Sequence, residues 1–219
     1  MNKLSKYKNL FFDCDGIILN SNKIKTEAFK EVVSNYGEKA STELQNYHIK
    51  NGGISRYKKF NYFLDKIAID HGIEVNSISV NKLVEDYSGI VKNKLLKCEV
   101  CSQIINYRKY SKAIWFIVSG SDQDELIEVF KQRKLNKFFD GGIYGSPLSK
   151  DEIFRDIFKE KMIEKSKSIY LGDSKYDYIA AKNIGIDFIF LSKWSEFREI
   201  KKFSNANNID LYKEFNDLI

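Results

Sequence analysis

Short apolar runs alternate with helical patterns along most of the chain, and this alternation limits the possible folds more than any other feature. Five runs rich in aromatic and β-branched residues lie at 9–14, 113–119, 142–144, 168–172 and 188–191. Each run is too short for a helix and indicates a buried strand. Helical patterns follow the later runs. The sequence therefore predicts an α/β fold, a Rossmann-like parallel sheet with helices on both faces.

The segment between the first two predicted strands shows no strand pattern. Apolar residues recur there at helical spacing, in stripes that begin at Ile24, Phe60 and Leu83, and Gly37 stands where a helix would end. An insert at the carboxyl end of a strand lies over the ligand crevice of such a sheet. We therefore expect a core of residues 1–18 and 98–219 and an all-helical cap of residues 19–97.

Two aspartates follow the first strand directly, in the sequence Asp13-Cys14-Asp15-Gly16. Residues i and i+2 of an extended chain point the same way, so these carboxylates would be close together. Such like charges are unfavourable unless a cation or a shared proton relieves them. The simpler alternative is a strand end followed by an Asp-Gly turn.

The second strand ends in Ser119-Gly120-Ser121, where a hydroxyl group and backbone N–H groups could hold a phosphate. The alternative is that Ser121, with Asp124 three residues later, caps the next helix. Lys150 begins a helix after the third strand, although a cation there opposes the helix dipole, which hints at a second use such as holding a phosphate.

The fourth strand ends in another pair of acids, Asp173 and Asp177, separated by Ser174 and two further residues. Asp177 could also be the capping partner of Ser174, and both uses are compatible. Because the carboxyl ends of parallel strands meet at one edge of a sheet, these four groups of residues would share one site.

In this order the motifs resemble those of the haloacid dehalogenase superfamily, in its phosphatase branch with a helical cap inserted after the first motif. The resemblance covers roughly residues 8–18 and 98–193. The matching residues are Asp13, Asp15, Gly16 and Ser21 in the first motif, Ser119 in the second, Lys150 in the third, and Gly172, Asp173, Ser174, Asp177, Ala180, Ala181 and Gly185 in the fourth.

The resemblance implies a catalytic role for each aspartate. Asp13 would attack phosphorus and form an aspartyl-phosphate, and Asp15 would protonate the leaving oxygen and then activate water. Mg²⁺ would be held by the Asp13 carboxylate, the Asp15 backbone carbonyl and Asp173, since hard oxygen ligands suit this ion.

The same resemblance assigns the surrounding residues. Ser119, Gly120 and Lys150 would hold the oxygens of the transferring phosphoryl group, and Asp177, with Ser174, would orient the site from behind the metal ligands. The second aspartate favours phosphomonoester chemistry. We therefore expect a magnesium-dependent phosphatase acting on a small sugar, polyol or amino-alcohol phosphate. A phosphomutase acting on a hexose phosphate shares both aspartates and is the alternative.

Specificity is expected to come from a polar segment of the cap, residues 47–59, in which Gly52-Gly53 makes a flexible loop between two helices. Its candidate substrate ligands are His48, Lys50, Ser55 and Arg56, and the Arg56 guanidinium suits phosphate oxygens best. No acidic residue lies between Glu43 and Asp65, while Lys50, Arg56, Lys58 and Lys59 do. This local excess of positive charge favours attraction of a small anion.

Overall charge limits the other function classes. The formal net charge is +6, and 36 basic residues are nearly balanced by 30 acidic ones. A nucleic-acid-binding module is thus the remote alternative, and the sequence 194–202 resembles an ordinary surface helix. No apolar run suggests a membrane span or a signal peptide, so we expect a cytoplasmic protein without a membrane partner. The sequence leaves the oligomeric state open between monomer and dimer. Cys98 and Cys101 have the spacing of zinc or redox pairs but lack a second pair, which favours two ordinary thiols.

Overall fold

The computed structural model describes residues 2–219, and its central element is a six-stranded parallel sheet. The strands are β1 (Asn9–Phe12), β2 (Ile114–Asp122), β3 (Gly142–Ser146), β4 (Ser168–Gly172), β5 (Asp187–Leu191) and β6 (Asp210–Tyr212). Their order across the sheet is β3-β2-β1-β4-β5-β6. The α/β fold with a parallel sheet is thus confirmed, and β6 is a strand that the sequence pattern did not reveal.

Helices connect these strands and cover both faces of the sheet. They are α1 (Asn22–Val32), α2 (Glu38–Lys50), α3 (Arg56–Tyr62), α4 (Ala68–Asp70), α5 (Val80–Leu95), α6 (Ser102–Tyr107), α7 (Gln123–Gln132), α8 (Lys150–Lys161), α9 (Lys175–Ile184) and α10 (Ile200–Asn207). A π-helical turn, Phe63–Ile67, joins α3 to α4. No helix within residues 2–219 is long and apolar enough to cross a membrane.

Side chains of β1 alternate between two apolar cores because successive residues of a strand point to opposite faces. Phe11 packs with Phe116 and Phe154 on the face covered by α8 and α9. Leu10 and Phe12 belong to the larger core on the opposite face. β1 is completely buried and pairs with β2 on one side and β4 on the other, so the residue that follows it is placed at the middle of the sheet edge.

The helical insert after β1 leaves and rejoins the core at adjacent points. Leu19 and Val100 form an antiparallel bridge, and the backbone N–H groups of Asn20 and Cys101 donate to Glu99 and Ile18 at 2.9 Å. Helices α1 to α5 lie between these points. The expected helical insert is confirmed, while the division at residues 18/19 and 97/98 stays a prediction.

The predicted polar segment of the cap is shorter as a loop than the sequence suggested. The last turn of α2 includes residues 47–50, and α3 begins at Arg56, so only residues 51–55 connect the two helices. The position of Gly52-Gly53 between two helices is confirmed. The insert buries its own aromatic cluster, in which Phe29 lies 5.2 Å from Phe60 and 4.5 Å from Tyr87 between ring centroids.

Candidate active site

The chain turns sharply after β1, and this turn places Asp13 and Asp15 at the edge of the sheet. The Asp13 N–H donates to the Leu171 carbonyl at 2.9 Å and continues the pairing with β4. Gly16 follows with a φ of +77°, and a Cβ there would lie 2.3 Å from Oδ2 of Asp173. Both the left-handed conformation and the lack of space require glycine at this position.

Asp13 is buried, and its surroundings do not satisfy its carboxylate. Its Oδ1 lies 3.0 Å from Nζ of Lys150, but without the alignment of a hydrogen bond, and no other group within residues 2–219 bonds to it. Burial raises the pKa of Asp13 to about 7 despite the attraction of Lys150. A buried carboxylate oxygen without a partner is what a metal ion or a reacting phosphoryl group would use.

Lys150 is held in the centre of the site by three elements of the core. It is the first residue of α8, behind a capping box formed by Ser149 and Glu152. Its Nζ donates to the Tyr170 hydroxyl at 2.9 Å and forms an ion pair with Oδ1 of Asp177. Lys150 is therefore a fixed cation beside Asp13, and its role as a phosphate ligand stays a prediction.

Asp177 uses both carboxylate oxygens to organise the end of β4. Its Oδ2 accepts hydrogen bonds from the backbone N–H groups of Asp173 and Ser174, at 3.1 and 2.9 Å, and from the Ser174 hydroxyl at 2.7 Å. Ser174 and Asp177 also form the capping box of α9, so the capping alternative for this pair is confirmed. Asp177 is saturated by these contacts and by Lys150, and its predicted role in orienting the site stays a prediction.

Three carboxylates converge here in a way that suits a divalent cation. One oxygen each from Asp13, Asp173 and Asp177 lies within 4.8 Å of the others. Burial, with Asp177 and Asp13 adding repulsion, raises the pKa of Asp173 well above its ordinary value. Oδ2 of Asp173 accepts a hydrogen bond from Asn22 at 2.6 Å. Because Asp177 is already satisfied and Oδ1 of Asp13 is not, Asp13 and Asp173 are the side chains that fit such an ion.

Asp15 lies in a different environment, surrounded by donors. It accepts from the Ser21 hydroxyl at 2.5 Å, the Ser121 hydroxyl at 2.7 Å and Nζ of Lys25 at 2.6 Å. Burial alone would raise the pKa of Asp15, but Lys25 and the hydroxyls outweigh it and bring the pKa to about 2. Asp15 is thus ionised at neutral pH in this arrangement, and its contacts with Lys25 and the two hydroxyls oppose its protonation.

Lys25 was not found from the sequence, because it lies in the cap helix α1 and its partners come from the core.

The alternative that Ser121 caps the next helix is wrong. Strand β2 continues to Asp122, whose carboxylate accepts from the N–H groups of Asp124 and Glu125, and Ser121 is free to contact Asp15.

The second motif lies directly beneath the cap. Ser119 is buried, and its Oγ accepts from the Ser121 N–H at 3.1 Å. A Cβ at Gly120 would lie 2.1 Å from the Gly53 carbonyl oxygen, so only glycine lets the cap loop approach this closely. The roles of Ser119 and Gly120 as phosphate ligands stay predictions.

A cavity of about 380 Å³ separates the cap from the strand ends. Asp13, Asp15 and Asp173 lie on its core side. His48, Lys50 and Arg56 are the predicted specificity residues that line its cap side, whereas Ser55 lies against a smaller neighbouring cavity. The specificity roles of all four stay predictions.

Arg56 is less free than the sequence suggested. Its guanidinium forms a two-point ion pair with Glu125 of the core helix α7, donates to Ser88 at 2.8 Å and lies 4.6 Å from the centre of the Tyr87 ring. This arrangement joins cap to core, so a substrate anion could reach Arg56 only as an additional partner of an already neutralised group.

The two thiols of the Cys98-x-x-Cys101 pair lie away from this cavity. Sγ of Cys98 lies 3.3 Å from both the Leu95 carbonyl and the Arg133 guanidinium, and Sγ of Cys101 lies 3.2 Å from Gln103. Burial raises the pKa of both thiols, which makes them poor nucleophiles at neutral pH.

Comparison with known proteins identifies the family to which this chain belongs. The family model "Haloacid dehalogenase-like hydrolase" matches residues 10–191, and the chain belongs to this family. A curated relative is the phosphorylated carbohydrates phosphatase of Thermotoga maritima, 22% identical over 186 residues and 83% of each chain. The chain is thus a phosphatase-like hydrolase of this family.

Solved structures share the fold over nearly the whole length. A protein of Haemophilus somnus, described as a predicted phosphoglycolate phosphatase, has a TM-score of 0.77 with 14% identity, covering 97% of this chain and 96% of that one. A haloacid dehalogenase-family hydrolase of Bacillus subtilis, bound to magnesium, has a TM-score of 0.63 with 16% identity, covering 93% and 100%.

Proposed function

We propose that the protein is a magnesium-dependent phosphatase that hydrolyses a small phosphomonoester through an aspartyl-phosphate intermediate. The observation that carries this proposal is Oδ1 of Asp13, a buried carboxylate oxygen without a hydrogen bond, 3.0 Å from the fixed cation Lys150. The name of the Thermotoga relative, a phosphatase of phosphorylated carbohydrates, supports a phosphorylated small molecule as substrate.

The proposed reaction uses the two aspartates in turn. Asp13 attacks phosphorus, a new O–P bond forms, and the P–O bond to the leaving group breaks. Asp15 gives the leaving oxygen its proton. Water then attacks the phosphorus of the aspartyl-phosphate, Asp15 accepts the proton of this water, and inorganic phosphate leaves Asp13 regenerated.

The other residues of the site neutralise charge on the phosphoryl group and control the protonation of the two aspartates. Lys150 neutralises charge on the phosphoryl oxygens, and its own position is fixed by Tyr170 and Asp177. A divalent cation held by Asp13 and Asp173 would favour the ionised form of Asp13 and neutralise further charge. Lys25 holds Asp15 ionised, so substrate binding has to loosen this contact before Asp15 carries the proton that the leaving oxygen takes.

Phosphate release from a panel of small phosphomonoesters, with and without Mg²⁺, tests the proposal. Asp13→Asn should abolish turnover, whereas the matched control Asp65→Asn, at an exposed cap position, should retain it. Wild-type activity in Asp13→Asn would show that Asp13 is not the nucleophile. An isomerised sugar phosphate with little free phosphate would instead support the phosphomutase.

The intermediate can be tested directly. A rapidly acid-quenched single turnover with ³²P-labelled substrate should leave label on the wild-type protein that hydroxylamine releases, because an acyl phosphate is hydroxylamine-sensitive. Asp13→Asn should carry no label under the same conditions. Label that survives in this variant would place the covalent intermediate on another residue.

A further inference from the structure

The cap side of the cavity contains a buried lysine without a counter-charge. Within residues 2–219, three lysines are buried: Lys25, Lys59 and Lys150. Lys25 pairs with Asp15 at 2.6 Å, and Lys150 pairs with Asp13 at 3.0 Å. No carboxylate oxygen of the described chain lies within 4 Å of Nζ of Lys59, whose polar contact is Nδ1 of His48 at 2.9 Å.

Burial of the charged Lys59 side chain destabilises the folded protein. The residue is 2% exposed, and its Nζ lies 5.2 Å from the centre of the Phe29 ring. Burial, together with the positive charge of Lys25, lowers the pKa of Lys59 to about 7. An apolar side chain of similar size would fill the same volume without this cost. The cost is offset if an anion binds there.

The direction of Lys59 follows from its position in α3. Residues three apart lie on the same face of a helix, so Arg56 and Lys59 both face the cavity, and both line it. Glu125 already neutralises Arg56. Lys50 also lines the cap side, but it is exposed to solvent, so the buried positive charge without a carboxylate partner on this side is that of Lys59. His48, also lining the cavity, is kept neutral because burial and the nearby Lys59 lower its pKa well below the ordinary value.

We propose that the substrate carries a second anionic group, a carboxylate or a second phosphate, that binds Lys59 and His48 while the scissile phosphoryl group lies at Asp13. This inference rests on the proposed phosphatase function and narrows its substrate class. It favours sugar acid phosphates and sugar bisphosphates over neutral polyol phosphates. It disfavours amino-alcohol phosphates, whose ammonium group would lie beside Lys59.

Two matched pairs of substrates separate the two possible anions. 3-Phosphoglycerate differs from glycerol 3-phosphate only in having a carboxylate for a hydroxymethyl group, and fructose 1,6-bisphosphate adds a second phosphate to fructose 6-phosphate. The wild-type protein should prefer the acidic member of at least one pair by tenfold or more in kcat/KM. That ratio corresponds to about 1.4 kcal/mol.

Substitution of Lys59 tests whether this lysine causes the preference for the acidic substrate. Lys59→Met should remove this preference, mainly through KM, with little effect on the neutral member of the pair. The control Lys58→Met changes the exposed neighbouring lysine and should keep the preference. Equal losses for both members would show that Lys59 serves the transferring phosphoryl group, and an unchanged preference would show that it does not contact the second anion. Either result overturns the inference.

A binding measurement tests the second-anion inference even if the proposed phosphatase activity is not found. If the wild-type protein releases no phosphate from any ester in Mg²⁺, including a generic aryl phosphate, the phosphatase proposal fails. Calorimetric titration of the Asp13→Asn protein with each pair then decides the second-anion inference. Tighter binding of the acidic member, lost in Asp13→Asn/Lys59→Met, supports it. Equal binding of both members in both pairs refutes it.

Discussion

Replacement of Lys59 by methionine should make the protein more stable, and by an amount that depends on pH. The pKa of Lys59 falls from 10.5 to about 7 on folding, chiefly because the side chain is buried. Between these two pH values the unfolded chain holds a proton that the folded chain does not, so the stability contributed by this group rises with pH. Below pH 7 both states are protonated, and the folded state bears the full penalty.

The shift in the pKa of Lys59 also limits how much stability Lys59→Met can gain. Each pKa unit corresponds to about 1.4 kcal/mol, so a fall from 10.5 to about 7 sets an upper limit of about 5 kcal/mol. Loss of the contact with His48 offsets about 1 kcal/mol of this gain. We therefore expect Lys59→Met to raise the free energy of unfolding by about 2–4 kcal/mol at pH 6, with the difference disappearing towards pH 10.

Urea unfolding of wild type and Lys59→Met at pH 6, 8 and 10, in metal-free buffer, measures this difference. The control Lys58→Met, exposed on the same helix, should stay within about 0.5 kcal/mol of wild type at every pH. A Lys59→Met protein that is no more stable than wild type at pH 6, or a difference that does not shrink with pH, would refute the view that Lys59 is an uncompensated buried cation.

Glu125→Gln leaves Arg56 buried without its charge partner and should lower the free energy of unfolding by about 2–4 kcal/mol in urea titrations, whereas the double variant with Arg56→Met should recover much of this loss; additive losses would show that the pair is not coupled. Arg56→Ala should raise KM more for the true substrate than for a generic aryl phosphate, and an equal effect on both would remove Arg56 from specificity. Lys25→Met lets burial raise the pKa of Asp15 from about 2. Because Asp15 has to carry the proton that the leaving oxygen takes, the limb of the kcat/KM profile on which Asp15 loses this proton should move to higher pH. A limb that does not move would show that Lys25 does not control Asp15.

Five of the six strands could be predicted because each is a short, nearly continuous apolar run that a two-sided buried sheet requires. Strand β6 (Asp210–Tyr212) was missed because it has only three residues and lies at the sheet edge, where burial imposes no apolar pattern. Helix α2 was expected only from the loop that follows it, because its own sequence carries little helical pattern. It buries only Ala40, Ser41 and Leu44, two of them small, so no apolar stripe marks it.

The core half of the site could be predicted because its residues follow strand ends, and the topology of a parallel sheet brings those ends together. The cap half could not. Lys25 and Ser121 meet across 96 residues of sequence, and no local pattern distinguishes a lysine that reaches a core carboxylate from one in solvent. The Arg56–Glu125 pair is hidden in the same way, because its partners belong to different layers of the molecule.

The sheet order has a consequence for synthesis of the chain. β1 is the first strand to be made, yet it lies between β2 and β4, so its pairing is complete only after residue 172 has been added. Helices α1 to α5 follow β1 directly and contact mostly one another, so they can form while Leu10, Phe11 and Phe12 are still unpaired. During translation the helices of the cap can therefore form before the apolar strand β1 has gained either of its neighbouring strands.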